Sequence, residues 1–305
     1  MADWYFRNKQ QNSLQTCPGC RNLVRKGEEF CPFCAKRLGP EGGWRGLAKR
    51  VFARPDSMTR LILGAMIVMF MVQMLTEFLL PARFRNAGGG GFMNFPPIST
   101  ITYILLGANE QHYVYANHQY WRWFTYCFLH FGILHIVFNS WAMRDLGRLV
   151  EMLWGHRQVF STFVVTGVFA GAVSFGWGIV LSGGPRISGG ASGAICGLLG
   201  LLLGAYYKNR YHIGEHLGGQ LLHWAVYILV FGLVAGADNA AHIGGMISGA
   251  ALGYFLPPTR STKTPDRDRM IWNILTGLAM AITLVSIGFA VEFAVGGMLE
   301  LRGVV

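Results

Sequence analysis

Serine, histidine and asparagine side chains occur inside long apolar segments of this sequence, where uncompensated polar groups are costly. Ser192 lies in the sequence GASG at positions 190–193, at the start of one apolar run, and His242 lies early in another. A serine hydroxyl is a weak nucleophile at neutral pH, and an adjacent imidazole activates it by taking its proton. A pairing of Ser192 with His242 would therefore indicate nucleophilic catalysis.

A third apolar segment carries His135 and Asn139, which lie one helical turn apart and so share a helix face. Because Ser192 begins a predicted helix, its backbone N–H has no intrahelical partner and the helix dipole is positive there. That helix end can hold a developing oxyanion, and His135 and Asn139 can donate the remaining hydrogen bonds. The alternative is that His135 and Asn139 only tie neighbouring helices together. We interpret His130, in the same segment, as structural.

The composition places the chain in the membrane class. Of its 305 residues, 52% are hydrophobic and only 13% are charged, whereas soluble domains carry about 25% charged residues. The formal net charge is +11, and the basic residues flank the apolar segments. This placement favours a lipid bilayer with anionic headgroups as the partner, and no nucleic acid.

Seven apolar segments are long enough to cross a bilayer as helices, which predicts an all-α polytopic membrane protein. The predicted spans are 61–80, 124–146, 160–181, 191–207, 221–235, 239–255 and 271–295. A long loop, 81–119, is aromatic in its second part, and 260–269 is a charged linker. Lysine and arginine are concentrated before the first span and after each even-numbered span. The positive-inside rule then predicts a cytoplasmic N-terminus and an outside C-terminus, in a bacterial inner or cell membrane.

Glycines at helical spacing predict which spans touch, because small residues let two helix backbones approach closely. One set lies in the fourth span and the other in the sixth: Gly193, Gly197 and Gly200, and Gly245, Gly249 and Gly253. Packing these faces together would bring Ser192 within reach of His242.

Two polar residues near these spans have structural interpretations. Asp238 is predicted to cap the sixth span, although its position one turn before His242 also leaves an acid-orienting role open. Glu151 is predicted to cap or cross-brace the cytoplasmic end of the second span, with Arg148 as a candidate partner.

The polar N-terminal segment, residues 1–40, carries two CxxC pairs formed by Cys17, Cys20, Cys31 and Cys34. Each pair can place two thiolates on one tetrahedral ion, which predicts a zinc-ribbon-like module with one structural zinc ion. Disulfides and thiol redox activity are the alternatives, and a reducing cytosol disfavours disulfides. Residues 41–58 are predicted to be a basic amphipathic linker, in which 42–54 resembles a helix at a membrane surface. A solvated linker is the alternative.

Several ordered motifs make the sequence resemble the rhomboid intramembrane serine proteases over about 62–257. They are GAN at 107–109, WR at 121–122, HxxxxHxxxN at 130–139, GxxxExxxG at 147–155, GASG at 190–193 and AHIGG at 241–245. The resemblance implies a six-span catalytic core, 59–258. It also implies that residues 259–305 supply a linker, a seventh transmembrane helix and a short outer tail.

The resemblance further implies peptide-bond hydrolysis by a Ser192–His242 dyad near the outer membrane face, with His135 and Asn139 as oxyanion donors and no catalytic cofactor. Substrates would be single-span membrane proteins, and the fifth span with the loop at 232–237 would be the gate. Cys196 departs from the pattern, because the family usually has an aromatic ring there against the catalytic histidine. A catalytically silent rhomboid-like protein that binds membrane helices is the alternative. A transporter is disfavoured, since no clear internal repeat is present.

Overall fold

The computed structural model describes residues 14–17, 19–25, 31–34, 38, 56–85, 95–181, 187–208, 215–258 and 265–303. The chain divides into two compact units, Met1–Arg54 and Pro55–Val305. In the first unit, β1 (Leu14–Thr16) pairs antiparallel with β2 (Leu23–Arg25). The predicted amphipathic segment at 42–54 lies outside the described residues.

The second unit is built from helices, and the predicted all-α fold class is confirmed. Its longest elements are α1 (Ser57–Leu79), α5 (Ile133–Trp154), α6 (His156–Leu181), α7 (Ser192–Lys208), α8 (Glu215–Ala235), α9 (Asn239–Phe255) and α10 (Pro265–Leu301). Shorter elements lie between them: α2 (Thr100–Leu105), β3 (Asn109–Glu110), α3 (Gln111–Tyr115), α4 (Arg122–Thr125) and β4 (Ile187–Ser188).

Several of these helices can cross a membrane. Among the described residues, α1, α6 and α10 are long and apolar enough, and the bent pair Arg122–Phe128 with α5 makes a fourth if it is one span. Helix α7 and the 218–234 part of α8 are apolar but shorter. Large apolar side chains face outward, including Val234 at 83% and Leu284 at 71% exposure. Outward apolar faces of this kind are what a lipid environment requires. The number of seven spans stays a prediction.

The second predicted span, 124–146, is wrong as a single helix. The chain bends by 97° between Arg122–Phe128 and α5, so that His130 lies in the break rather than in a helix. The apolar run continues through the bend, so the hydropathy of the sequence does not indicate that the helix is interrupted there. Gln73 of α1 stabilises the break, because its side chain accepts from the His130 N–H at 2.9 Å and donates to the His130 carbonyl at 3.2 Å. Non-helical backbone at membrane depth needs such internal partners.

The predicted linker at 260–269 is too long, because α10 already begins at Pro265. Proline suits the first position of a helix, since the N–H that it lacks would have no partner there. Asp266 and Asp268 follow in the first turn, where a carboxylate interacts favourably with the helix dipole.

The predicted glycine interface between the fourth and sixth spans is confirmed. A Cβ atom built on Gly245 would lie 2.0 Å from the Gly193 carbonyl oxygen, and one on Gly249 would lie 1.9 Å from that of Gly197. From the α7 side, a Cβ on Gly200 would lie 2.2 Å from the Met246 carbonyl oxygen. Helices α7 and α9 are therefore in backbone contact, and only glycine fits at these positions.

Glu151 cross-braces the end of α5, which is one of the two roles predicted for it, by capping the start of α1. Its carboxylate accepts hydrogen bonds from the backbone N–H groups of Met58 and Thr59, both at 2.8 Å, and also contacts His156. These N–H groups are among the orphan donors at the start of α1. The candidate partner Arg148 instead pairs with Asp56 at 3.4 Å. Burial opposes ionisation of Asp56, but the charges of Arg60 and Arg148 outweigh it and lower its pKa.

Replacement of Glu151 by alanine is expected to lower the free energy of unfolding by roughly 3 kcal/mol, because it leaves buried donors without an acceptor. The measurement is thermal unfolding of the detergent-solubilised chain by far-UV circular dichroism. Glu292→Ala on α10 is the control for loss of one carboxylate. Equal melting of the two variants would contradict the capping role.

Candidate active site

Ser192 and His242 meet at the N-terminal ends of the two helices that the glycine interface joins. Ser192 is the first residue of α7, and His242 lies in the first turn of α9. The Ser192 Oγ lies 2.8 Å from the Nε2 of His242, which is hydrogen-bond distance. His242 is 4% exposed, so its imidazole is shielded from bulk solvent while it contacts the serine.

The backbone before Ser192 is held by the long first loop. Strand β4 pairs antiparallel with β3 of that loop, with Ser188 opposite Asn109. The Gly190 N–H then donates to the Tyr126 carbonyl at 2.9 Å. Gly190 has φ +140°, and a Cβ atom there would lie 2.8 Å from the His135 ring. Glycine is therefore needed at this turn both for its backbone conformation and for the space that the imidazole occupies.

The His135 ring has a defined tautomer. Its Nδ1 accepts a hydrogen bond from the Phe131 backbone N–H at 3.3 Å, and the ring stacks on the Phe131 side chain at 5.9 Å between centroids. A neutral imidazole whose Nδ1 accepts carries its proton on Nε2. That Nε2 lies 2.9 Å from the Cβ position of Gly190, beside Ser192. The His135 Nε2–H thus lies beside Gly190, in the turn that leads to Ser192.

Asn139 is buried one turn later on α5, at 5% exposure. Its side-chain amide donates to the His135 carbonyl at 2.9 Å. An amide nitrogen carries two N–H groups, so this bond uses only one donor.

Asp238 is the N-cap of α9, as predicted. Its Oδ1 accepts from the Ala241 N–H at 3.0 Å. Its Oδ2 accepts from the hydroxyl of Ser188 at 2.7 Å and from that of Ser174. The carboxylate therefore joins the start of the histidine helix to the strand that leads to Ser192.

Comparison with known proteins agrees with this geometry. The Rhomboid domain family model matches residues 117–259, which contain both Ser192 and His242. The chain is 35% identical over 187 residues to the rhomboid protease GluP of Bacillus subtilis, covering 60% of this chain and 33% of GluP. Residues 117–259 form a rhomboid domain.

Two further relatives show the breadth of this similarity. RHOMBOID-like protein 5 of Arabidopsis thaliana is 33% identical over 178 residues, covering 54% of this chain and 56% of that protein. The rhomboid protease GlpG of Yersinia pestis is 34% identical over 143 residues, covering 45% and 48%. The chain thus spans between a third and just over half of the length of these relatives. With a rhomboid domain and several apolar helices, the chain is a multi-pass integral membrane protein.

Sequence reasoning missed Asn239, the residue that contacts the other nitrogen of the rhomboid histidine. The His242 Nδ1 lies 3.0 Å from the Asn239 Oδ1. The spacing of three residues, one helical turn, is the signal that could have identified it. Cys196 lies one turn after Ser192 and is buried at 1% exposure, so it packs inside the bundle.

The four N-terminal cysteines form a separate candidate metal centre. Their sulfur atoms all lie within 4.8 Å of one another, with Cys17 Sγ 3.7 Å from Cys34 Sγ and Cys20 Sγ 3.6 Å from Cys31 Sγ. A tetrahedral zinc ion with Zn–S bonds of about 2.3 Å requires sulfur separations of roughly 3.8 Å. A hydrogen bond from the Cys20 backbone N–H lowers the pKa of Cys17 to about 6. These donors fit a structural zinc ion, since the thiolate is the form that binds metal.

Proposed function

We propose that this chain is an intramembrane serine endopeptidase that cleaves transmembrane segments of membrane proteins. The observation that carries the proposal is the 2.8 Å contact between Ser192 Oγ and His242 Nε2 at the junction of two apolar helices. The named relatives GluP and GlpG are rhomboid proteases, which supports the same activity here. A catalytically silent relative is not favoured, because the nucleophile and the base are both present and in contact.

In the proposed reaction, the Ser192 hydroxyl attacks the carbonyl carbon of the scissile peptide bond while His242 Nε2 takes its proton. The protonated imidazole then gives that proton to the leaving amine as the C–N bond breaks. A water molecule, deprotonated by the same nitrogen, hydrolyses the acyl-enzyme and regenerates Ser192. General acid–base catalysis of this kind contributes on the order of 10²–10⁴-fold.

The oxyanion of the tetrahedral intermediate would lie at the N-terminus of α7. The Ser192 N–H is one of the helix N–H groups without an intrahelical acceptor. The His135 Nε2–H and the remaining N–H of Asn139 are the proposed side-chain donors. Each donor of an oxyanion hole contributes on the order of 10²–10³-fold in turnover.

Substrates are proposed to be single-span membrane proteins that enter between α5 and α8. Two aromatic pairs hold these helices together, Trp141 with Trp224 at 5.0 Å and Phe138 with Phe231 at 5.9 Å. Ring contacts of this kind contribute only about 0.5–1.5 kcal/mol each, so separating α5 from α8 at these two pairs would cost little, and we propose that the bundle opens there. A helical substrate must unwind locally there, because its peptide bonds are otherwise hydrogen-bonded and shielded.

The proposed function is tested with the purified full chain and a fluorescent single-span substrate in liposomes. We expect cleavage, with the cut site mapped by mass spectrometry near the outside end of the substrate helix. Trp224→Ala is expected to cleave faster than the unmodified chain. Failure of the folded chain to cleave any of a panel of single-span substrates would contradict the proposal.

The proposed topology places the N-terminal unit in the cytosol and the C-terminus outside. Arg60, Arg148 and Arg157 lie near helix ends on one side, and Lys208 and Arg269 are on the same predicted side. This distribution follows the positive-inside rule. It puts Ser192, which begins α7, near the outer face. A cut site near the cytoplasmic end of the substrate would contradict this orientation.

We also propose that Cys17, Cys20, Cys31 and Cys34 hold one structural zinc ion. The full chain purified without chelators is expected to contain about one zinc ion per chain, measured by plasma mass spectrometry. Cys17→Ser with Cys20→Ser should remove it, whereas Cys127→Ala in the helical unit should not. Zinc that is absent from the unmodified chain, or unchanged in the double variant, would refute the site.

A further inference from the structure

Asn239 links the catalytic histidine to the helix that borders the proposed substrate entrance. It is the first residue of α9 and is half-buried. Its side-chain Nδ2 donates to the backbone carbonyl of Leu229 on α8 at 3.0 Å, while its Oδ1 lies 3.0 Å from the Nδ1 of His242. One amide side chain therefore contacts both elements at once.

The direction of these hydrogen bonds follows from the Leu229 carbonyl. A backbone carbonyl can only accept, so the end of the amide that faces it must be the NH₂ group. The oxygen of Asn239 then faces His242, and the Nδ1 of that ring must be the donor. A neutral imidazole protonated on Nδ1 has its lone pair on Nε2. This is the nitrogen that lies 2.8 Å from the Ser192 hydroxyl.

We propose that Asn239 is a positioning residue that holds His242 in the tautomer and orientation of a general base, with its own amide orientation set by the Leu229 carbonyl of α8. The inference rests on the proposed serine protease function. It connects the base to α8 through Asn239, so that the position of α8 affects the activation of Ser192. It also adds a third hydrogen-bonded residue to the Ser192–His242 pair.

Two neighbouring features make the amide important for the orientation of the ring. Position 196 is a cysteine. The rhomboid family usually has an aromatic ring at this position, packed against the catalytic histidine. Among the residues that the structure describes, the aromatic ring contacts in the site are those of His135 with His130 and Phe131, and none of them involves His242. The hydrogen bond from the His242 Nδ1–H to the Asn239 Oδ1 is therefore a directional contact on the side of the ring opposite Ser192.

Gly232 of α8 keeps the space that this amide needs. A Cβ atom on Gly232 would lie 2.2 Å from the Asn239 Oδ1 and 3.0 Å from its Cγ. Ordinary van der Waals contact begins at 3.4 Å. An alanine at this position would therefore push the amide away from its place between Leu229 and His242. In contrast, a Cβ on Gly219 of the same helix would meet nothing within 4 Å.

The test is the rate at which a small fluorophosphonate labels Ser192 in the detergent-solubilised full chain. This reagent reports the activation of the serine without requiring entry of a transmembrane substrate. We expect Asn239→Leu, which keeps the size but removes both hydrogen bonds, to slow labelling by about tenfold or more. Asn239→Asp keeps an acceptor for the Nδ1–H and should recover most of that loss.

With the liposome substrate, Asn239→Leu should lower kcat and leave KM nearly unchanged. Ser248→Ala, which removes another polar side chain from α9, is the control.

The glycine pair supplies an independent arm that leaves Asn239 itself unaltered. Gly232→Ala is expected to slow labelling as Asn239→Leu does, whereas Gly219→Ala should label at the unmodified rate. In a double-mutant cycle, adding Gly232→Ala to Asn239→Leu should cost little more than Asn239→Leu alone, because both act through one contact.

The outcomes separate this inference from the function on which it rests. Labelling of Asn239→Leu at the rate of the unmodified chain, in a folded sample, would overturn the positioning role and leave the Ser192–His242 dyad in place. Labelling of Gly232→Ala at the rate of Gly219→Ala would overturn the link to α8. An unmodified chain that neither cleaves substrate nor reacts with the reagent would instead refute the proposed function.

Discussion

Replacing Ser192 with alanine is expected to abolish cleavage of a single-span substrate, with a loss of about 10⁴-fold or more in turnover. The physical reason is that the proposed mechanism passes through a covalent bond to Ser192 Oγ, and the methyl group of alanine cannot form it. The fold should be nearly unchanged, because the substitution removes one hydroxyl whose hydrogen bond to His242 contributes about 1 kcal/mol. The measurement is gel-based cleavage in liposomes, together with melting of the solubilised variant.

Two companion variants make this result specific. Ser248→Ala removes a hydroxyl from α9 that donates only within its own helix, to the carbonyls of Gly244 and Gly245. It should cleave at the unmodified rate. His242→Ala should lose fluorophosphonate labelling while Ser192 is still present, since the hydroxyl then has no base. Substantial cleavage by a folded Ser192→Ala protein would rule out Ser192 as the nucleophile.

Replacing Gly249 with alanine is expected to reduce stability and activity together. The added Cβ would lie 1.9 Å from the Gly197 carbonyl oxygen, so α7 and α9 must move apart before it can fit. Overpacking of this kind costs about 1–3 kcal/mol and occasionally more. Because α7 carries Ser192 and α9 carries His242, the same movement would lengthen their 2.8 Å contact. Melting temperature and the fluorophosphonate labelling rate measure the two effects.

Gly277→Ala on α10 is the matched control, since a Cβ there meets nothing within 4 Å. Alanine favours a helix over glycine by about 1 kcal/mol, so the control should be neutral or slightly stabilising. Of the two glycine-to-alanine substitutions, only Gly249→Ala is thus expected to lower the melting temperature. A Gly249→Ala protein that is as stable and as reactive as the control would show that the close approach of these helices is unimportant.

The contact between Ser192 and His242, the proposed catalytic pair, could be predicted from the sequence because residue type and position within an apolar segment are both local properties. Ser192 and His242 each stand early in an apolar segment, and the glycines of both segments recur at helical spacing. Those patterns predicted the contact between the helices that the structure contains. The bend before α5 could not be predicted in this way, because His130 lies in an uninterrupted apolar run. It depends on Gln73, which is 57 residues away along the chain.

The sequence by itself determined the membrane class, the helical fold, the interface between α7 and α9 and the approach of Ser192 to His242. Each of these depends on composition or on short-range periodicity. Only the tertiary structure decided how polar groups pair across the bundle. Glu151 caps α1 rather than pairing with Arg148, and Asn239 bridges His242 to the Leu229 carbonyl. Hydrogen bonds between distant segments depend on angles and distances of a few tenths of an ångström, which residue spacing along the chain does not specify.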